Sequence, residues 1–240
     1  LFLEGNFIED KRDGKWSIRW LSTDEDVSII TYKDDEPWDG VWYEYGEEYQ
    51  NYPLKKIVSY KNGIRNGRYE NWNDLWLNEE GYITGTYKNG IKDGVWKTFH
   101  NKDREIKEIM NYKDGLLHGK YEQFERNNDS FVKGNYKNDK RVGDWVIQRV
   151  DSWDSYYESI VLKKYKDGLL DGYYCYYIID DGSKTKLEGN YNTGKRDGLW
   201  KVWFYPGWEK PKMIPKNSTI EEIDKVFVGN GWKINDVLYK

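Results

Sequence analysis

The chain has 240 residues, of which 33% are charged and 18% are aromatic, and its formal net charge is -4 at pH 7. This net charge has the wrong sign for a protein that holds nucleic acid or an anionic membrane surface by general electrostatics. The aromatic content excludes a disordered chain, because disordered chains are poor in aromatic residues. No apolar run is long enough to span a bilayer as a helix.

The chain begins with Leu1 rather than Met and opens in the middle of a repeated unit. We therefore expect that residues precede Leu1 and that they carry the targeting information. A cytoplasmic location and an exported location both stay open.

One pattern recurs along most of the chain, and the stretch Tyr87–Trp96 gives its form. An anchoring aromatic is followed by a polar residue, an Asn-Gly or Asp-Gly pair, a second glycine and a closing aromatic. Asn and Gly both tolerate positive φ, so the pattern predicts a strand, a tight turn and a second strand. The anchoring aromatics are Phe7, Tyr32, Tyr60, Tyr87, Tyr112, Tyr136, Tyr165 and Tyr191; the second glycines are Gly14, Gly40, Gly67, Gly94, Gly119, Gly143, Gly172 and Gly198; the closing aromatics are Trp16, Trp42, Tyr69, Trp96, Tyr121, Trp145, Tyr174 and Trp200.

The anchors follow one another at intervals of 24 to 29 residues. Since each unit of a repeat array contacts mainly its neighbours, this spacing predicts one repeat domain over residues 1–205. The predicted fold is all-β: an elongated, open antiparallel sheet of about eight consecutive β-hairpins, with two strands per unit. In the second and sixth units Asp35 and Asp139 stand in place of the first glycine, and we expect looser turns there.

The repeat pattern stops before Pro206, and residues 206–240 form a C-terminal extension. Ser218 and Glu221 are spaced as a helical capping box. Apolar residues at helical spacing follow, namely Ile220, Ile223 and Phe227. We predict a short amphipathic helix that caps the last repeat, because an open array needs its end covered.

The last copy of the pattern, Tyr191–Trp200, resembles the bacterial variant of the MORN repeat. Over about residues 5–205 the chain is similar to the YwqK-type antitoxin family. The resemblance implies an open sheet of consecutive hairpins and a scaffolding or partner-binding role. It supplies no catalytic residues.

The residue types that usually perform catalysis are scarce. The two histidines, His100 and His118, are expected at opposite ends of the strands, which disfavours a shared metal site or a Ser-His-Asp arrangement. Cys175 lies in an aromatic strand and is expected to be a small buried residue. We predict no catalytic residues, no metal, no cofactor and no enzymatic activity.

Lysines recur directly after the anchors and should form a row along one edge; they are Lys33, Lys61, Lys88, Lys113, Lys137 and Lys166. Such a row could be a track for a polyanion, or a solvated edge whose charges discourage pairing with other sheets. The interleaved acidic residues favour the second interpretation.

Five tryptophans lie beyond the closing aromatic of their units, so the turn pattern does not require them. They are our candidate anchors for a partner: Trp20, Trp72, Trp76, Trp153 and Trp203. We expect a non-enzymatic scaffold that binds another protein, either neutralising a toxin or holding a cell-envelope or host protein. The alternative is a carbohydrate or cell-wall binding module. We expect no nucleic-acid partner, no membrane contact, and a monomer or weak oligomer.

Overall fold

The computed structural model describes residues 2–19, 26–45, 54–72, 82–100, 105–125, 130–151, 157–180, 183–204 and 212–214. Every regular element in these residues is a β-strand. None of them forms a helix long and apolar enough to cross a membrane. The predicted capping helix and its Ile220, Ile223 and Phe227 lie outside the described residues.

The strands form two compact units, one of residues 1–126 with 136–139 and one of residues 127–135 with 140–240. The strands of the first unit are β1 (Phe2–Ile8), β2 (Lys11–Arg19), β3 (Asp26–Lys33), β4 (Glu36–Tyr45), β5 (Leu54–Lys61), β6 (Ile64–Asn71), β7 (Ile83–Lys88), β8 (Ile91–His100), β9 (Glu105–Lys113) and β10 (Leu116–Phe124). The remaining strands are β11 (Phe131–Lys137), whose residues 131–135 belong to the second unit, β12 (Lys140–Asp151), β13 (Tyr157–Lys166), β14 (Leu169–Asp180), β15 (Ser183–Asn192), β16 (Lys195–Phe204) and β17 (Lys212–Ile214).

Within each unit, strands that are neighbours in sequence pair antiparallel, from β1 to β10 in the first and from β12 to β17 in the second. The predicted fold class, an all-β open sheet of consecutive hairpins with two strands per repeat, is confirmed. The short strand β17 pairs with β16 and is an addition that the repeat pattern does not predict.

Each tight turn consists of two consecutive residues with positive φ. Asn89 and Gly90, for example, have φ of 50° and 82°, which is the left-handed geometry of a type I′ hairpin. The same geometry holds at Glu9–Asp10, Asp34–Asp35, Asn62–Gly63, Asp114–Gly115, Asn138–Asp139, Asp167–Gly168 and Thr193–Gly194. The predicted hairpin turns are therefore confirmed.

The expectation of looser turns at Asp35 and Asp139 is wrong, because their φ values of 72° and 62° match those of the turn glycines. Each carboxylate instead reaches back to the preceding repeat. Asp35 Oδ1 accepts hydrogen bonds from the backbone N of Arg12 at 2.7 Å and from its Nε at 3.1 Å. Asp139 Oδ1 accepts one from the backbone N of Leu117 at 2.7 Å. Asp tolerates the left-handed region, and here its side chain adds a bond that glycine cannot make.

The second glycine of every repeat also has positive φ, and its value sorts the repeats into two classes. The φ is 66–74° at Gly14, Gly94, Gly143 and Gly198, and 102–114° at Gly40, Gly67, Gly119 and Gly172. Repeats of the first class have another glycine two residues before the anchor, at Gly5, Gly85, Gly134 or Gly189. Repeats of the second class have a side chain at that position, from Ile30, Val58, Met110 or Lys163.

The glycine before the anchor makes room for the closing tryptophan. A Cβ placed on Gly85 would lie 2.2 Å from Cδ2 of Trp96, and the same clash occurs at Gly5, Gly134 and Gly189 with their own tryptophans. The four tryptophans concerned, Trp16, Trp96, Trp145 and Trp200, are at most 5% exposed. Burial of the indole in these repeats therefore depends on a missing side chain in the neighbouring strand.

Within each unit, anchoring and closing aromatics pack along one face of the strands, which we call the spine face. Tyr87 meets Trp96 edge to face at 5.1 Å, and Trp96 meets Tyr112 of the next repeat at 6.2 Å. Lys92 lies 4.4 Å above the centre of the Trp96 ring, and in the second unit Arg141 lies 4.5 Å above that of Trp145. Aromatic pairs and cations thus join the buried aliphatic residues in stabilising the sheet.

Candidate partner-binding surface

Of the five candidate anchors, only Trp72 has a described side chain. Trp20, Trp76 and Trp153 lie outside the described residues. Trp203 belongs to β16, where it pairs with Lys186, but its side chain is also outside the description. The candidate site is therefore built around Trp72.

The alternation of side chains along strands places Trp72 on the face opposite the spine. Tyr69, which packs against Trp96, lies on the spine face. Trp72 is three residues further along the chain and so points the other way. Asn71 pairs with Ile83 and Ile83 with Thr98. The residues next to these, namely Trp72, Tyr82 and Phe99, consequently share the opposite face.

These three aromatic side chains form a stacked row, which we call the ladder. The ring of Trp72 lies 5.0 Å from that of Tyr82, with 16° between their planes. Tyr82 lies 5.0 Å from Phe99, with 29° between the planes. The spacing matches the separation of neighbouring strands, about 4.8 Å. All three residues are partly exposed, so the ladder is a stacked aromatic surface that water still reaches.

The carboxylate of Glu70 positions the central ring of the ladder, Tyr82. The hydroxyl of Tyr82 donates a hydrogen bond of 2.6 Å to Glu70 Oε2. Arg68 donates from Nε to the other oxygen, Glu70 Oε1. The hydrogen bond to Glu70 raises the pKa of Arg68, while partial burial opposes the shift. Hydrogen bonds thus position the polar groups of this surface, and ring stacking positions the apolar ones.

Tyr82 and Phe99 are functional candidates that the sequence reasoning missed. They lie at the ends of strands away from the tight turns, where segments between repeats vary in length and no recurring position marks them. Alternation from Trp96 along β8 places Phe99 on the face opposite the spine. Placing Tyr82 beside it and beside Trp72 also requires the register of β6, β7 and β8.

The histidines do not come together. His100 ends β8, with Nε2 3.0 Å from the backbone O of Phe124. His118 lies near the turn end of β10, with Nδ1 3.1 Å from Asn138 Oδ1. Within the described residues, no group of three or more His, Cys, Asp or Glu side chains could hold a metal ion.

Cys175 is buried, as expected, with 6% of its surface exposed. It pairs with Leu162 and Glu188 in the neighbouring strands. Burial raises the pKa of its thiol, and the nearby Glu188 carboxylate adds to the shift, while Tyr173 and Lys186 oppose it. A thiol held protonated in this way is a poor nucleophile.

No protein-family model and no curated protein sequence matches this chain.

Proposed function

We propose that this protein is a non-enzymatic repeat scaffold that binds another protein, and that the ladder of Trp72, Tyr82 and Phe99 is part of its contact surface. The supporting observation is the stacked, partly exposed row on the face away from the spine. Aromatic side chains carry much of the binding energy of protein interfaces. Since stacking already fixes these rings, a partner would meet them with little further loss of side-chain entropy.

The stacking also supports one of the two functions that the sequence leaves open. A sugar binds an aromatic side chain through an open ring face. Because β7 lies between β6 and β8, Tyr82 is stacked on both sides, and Trp72 and Phe99 each turn one face toward it. The central ring, Tyr82, therefore offers its edge and its hydrogen bond to Glu70 rather than an open face, which favours a protein partner over a carbohydrate.

The resemblance of the repeat to the bacterial MORN variant supports the same role. Toxin neutralisation is the form of this proposal that the YwqK-type resemblance suggests. A cell-envelope or host protein is the second form, and it requires that the protein is exported.

The test is affinity capture from the native host with the wild-type chain and two variants. The variant Phe99→Ala removes the last ring of the ladder, and Tyr173→Ala removes an aromatic of 43% exposure elsewhere in the chain as the matched control. We expect a protein that wild type and Tyr173→Ala retain and that Phe99→Ala loses, at unchanged circular dichroism. Capture that is equal for all three chains would contradict the proposal, as would ladder-dependent binding on a glycan array.

A further inference from the structure

A row of exposed aliphatic side chains lies at the turn end of the first unit. Ile64, Ile91 and Leu116 each follow a tight turn directly, and they are 50%, 45% and 42% exposed. We call them the turn row. The row is continuous, because a Cβ built on Gly90 would lie 3.1 Å from Ile64 Cγ2, and one on Gly115 would lie 3.6 Å from Ile91 Cβ. Ile64 and Ile91 therefore each rest on the turn of the next repeat.

The repeat itself does not require these aliphatic residues. The same position holds Lys11 and Glu36 in the first two repeats, and Lys140 and Lys195 in two later ones. Leu169 is aliphatic and 52% exposed but stands alone between those two lysines. Three consecutive repeats, the third to the fifth, thus have an aliphatic residue at this position. Contiguous exposed apolar surface of this kind usually marks a contact with another molecule.

A lysine stands beside each member of the turn row. Lys61 pairs with Ile64, Lys88 with Ile91, and Lys113 with Leu116. All three lysines are exposed, and none joins an ion pair that the structure gives for the described residues. The stretches 60–67, 87–94 and 112–119 hold five cationic side chains against two carboxylates, although the whole chain is acidic.

We propose that the turn row with its three lysines binds an acidic polypeptide segment that has aliphatic side chains between its carboxylates. The lysines select carboxylates, and the aliphatic groups bury apolar side chains that neither a nucleic acid nor a sugar offers. The interaction does not depend on the ladder. Phe99 lies on the same face as Ile91 but near the opposite end of β8. Because a bulge shortens the strand between them, the separation is about 20 Å.

The test uses the full chain and a fluorescent peptide of repeating Glu-Ser-Leu-Ser, followed by anisotropy. In an extended peptide this repeat puts Glu and Leu alternately on one side. Comparison peptides replace Glu by Lys, or Leu by Ser. The test variants are the triple Lys61→Gln, Lys88→Gln, Lys113→Gln and the triple Ile64→Ser, Ile91→Ser, Leu116→Ser. The matched control, Lys166→Gln with Leu169→Ser, changes the isolated hairpin, and the ladder variant Phe99→Ala completes the set.

We expect the Glu-Leu peptide to bind wild type, the control and Phe99→Ala equally, and both triple variants at least about tenfold more weakly. Binding should weaken as salt rises, because the lysines are exposed. If the Ser triple variant unfolds, the Lys→Gln triple variant still tests binding, because its three substitutions are at exposed positions. Equal binding of the Lys-Leu peptide, no binding of any peptide, or binding that the lysine triple does not weaken would overturn the proposal. Retention by vesicles containing phosphatidylserine without peptide binding would also overturn it.

Discussion

The substitution Gly85→Ala tests why half of the repeats carry a glycine before the anchor. Gly85 does not have positive φ, so alanine causes no backbone strain there. Its Cβ would lie 2.2 Å from Cδ2 of Trp96, a side chain that is 2% exposed. Ordinary carbon contacts need about 3.5 Å, so the indole must move by about 1 Å or more. Forcing an extra methyl into such packing costs about 2–3 kcal/mol.

Two further variants separate this steric effect from the conformational role of glycine. At Gly94 a Cβ would meet nothing within 4 Å, but φ is 74°. Gly94→Ala should therefore lower the free energy of unfolding only through the strain of a left-handed backbone, by about 1–2 kcal/mol, and Gly94→Asn should lower it by less. The double variant Gly85→Val, Trp96→Tyr recreates the pair Val58 and Tyr69 of the third repeat.

Urea unfolding followed by circular dichroism measures all of these free energies. The double variant should be more stable than the sum of its single changes predicts, with a coupling energy of about 1–3 kcal/mol. The steric argument fails if Gly85→Ala changes the unfolding free energy by less than about 0.5 kcal/mol. It also fails if the effects of Gly85→Val and Trp96→Tyr simply add.

Three other predictions follow from the turns and the buried thiol. Backbone and side-chain hydrogen bonds from Arg12 lower the pKa of Asp35, so wild type should be more stable than Asp35→Asn at neutral pH. This advantage should shrink as pH falls below the ordinary Asp pKa of about 3.9 and through the lower folded value; an advantage that is constant with pH in urea titrations would contradict the assignment. Asp139→Ala and Asp139→Gly both lose the bond to Leu117, but only alanine strains the left-handed turn, so the free energy of unfolding should be about 1 kcal/mol lower for Asp139→Ala; equal urea midpoints would show that the backbone at this position is not strained. Cys175 should react with Ellman's reagent far more slowly in the native chain than in urea, and equal rates would show that its strand is not packed as described.

The turns and strands could be predicted because their signal is local. An Asn-Gly or Asp-Gly pair favours a left-handed turn without reference to the rest of the chain. The eight copies of the whole pattern then show that the hairpins recur. The behaviour of Asp35 could not be predicted in the same way. Its carboxylate is satisfied by Arg12 of the preceding repeat, and that contact exists only after two hairpins are aligned.

The contact between Gly85 and Trp96 has a signal in the sequence, but the signal does not reveal the contact by itself. Glycine two residues before the anchor accompanies a closing tryptophan in four repeats, yet its meaning depends on a contact across the strand pair. At the candidate site, Trp72 was predicted because the turn pattern leaves it unexplained. Tyr82 and Phe99 needed the register of β6, β7 and β8, which no local pattern fixes.

The most direct test of the proposed scaffold function is site-specific photocrosslinking in the native host. A photoreactive p-benzoylphenylalanine replaces Phe99 in the ladder, and the same residue replaces Tyr173 in a parallel chain as the control. We predict a discrete protein adduct at position 99 that is absent at position 173. No protein adduct at position 99, or the same adducts at both positions, would contradict the assignment of the ladder as a protein-binding surface.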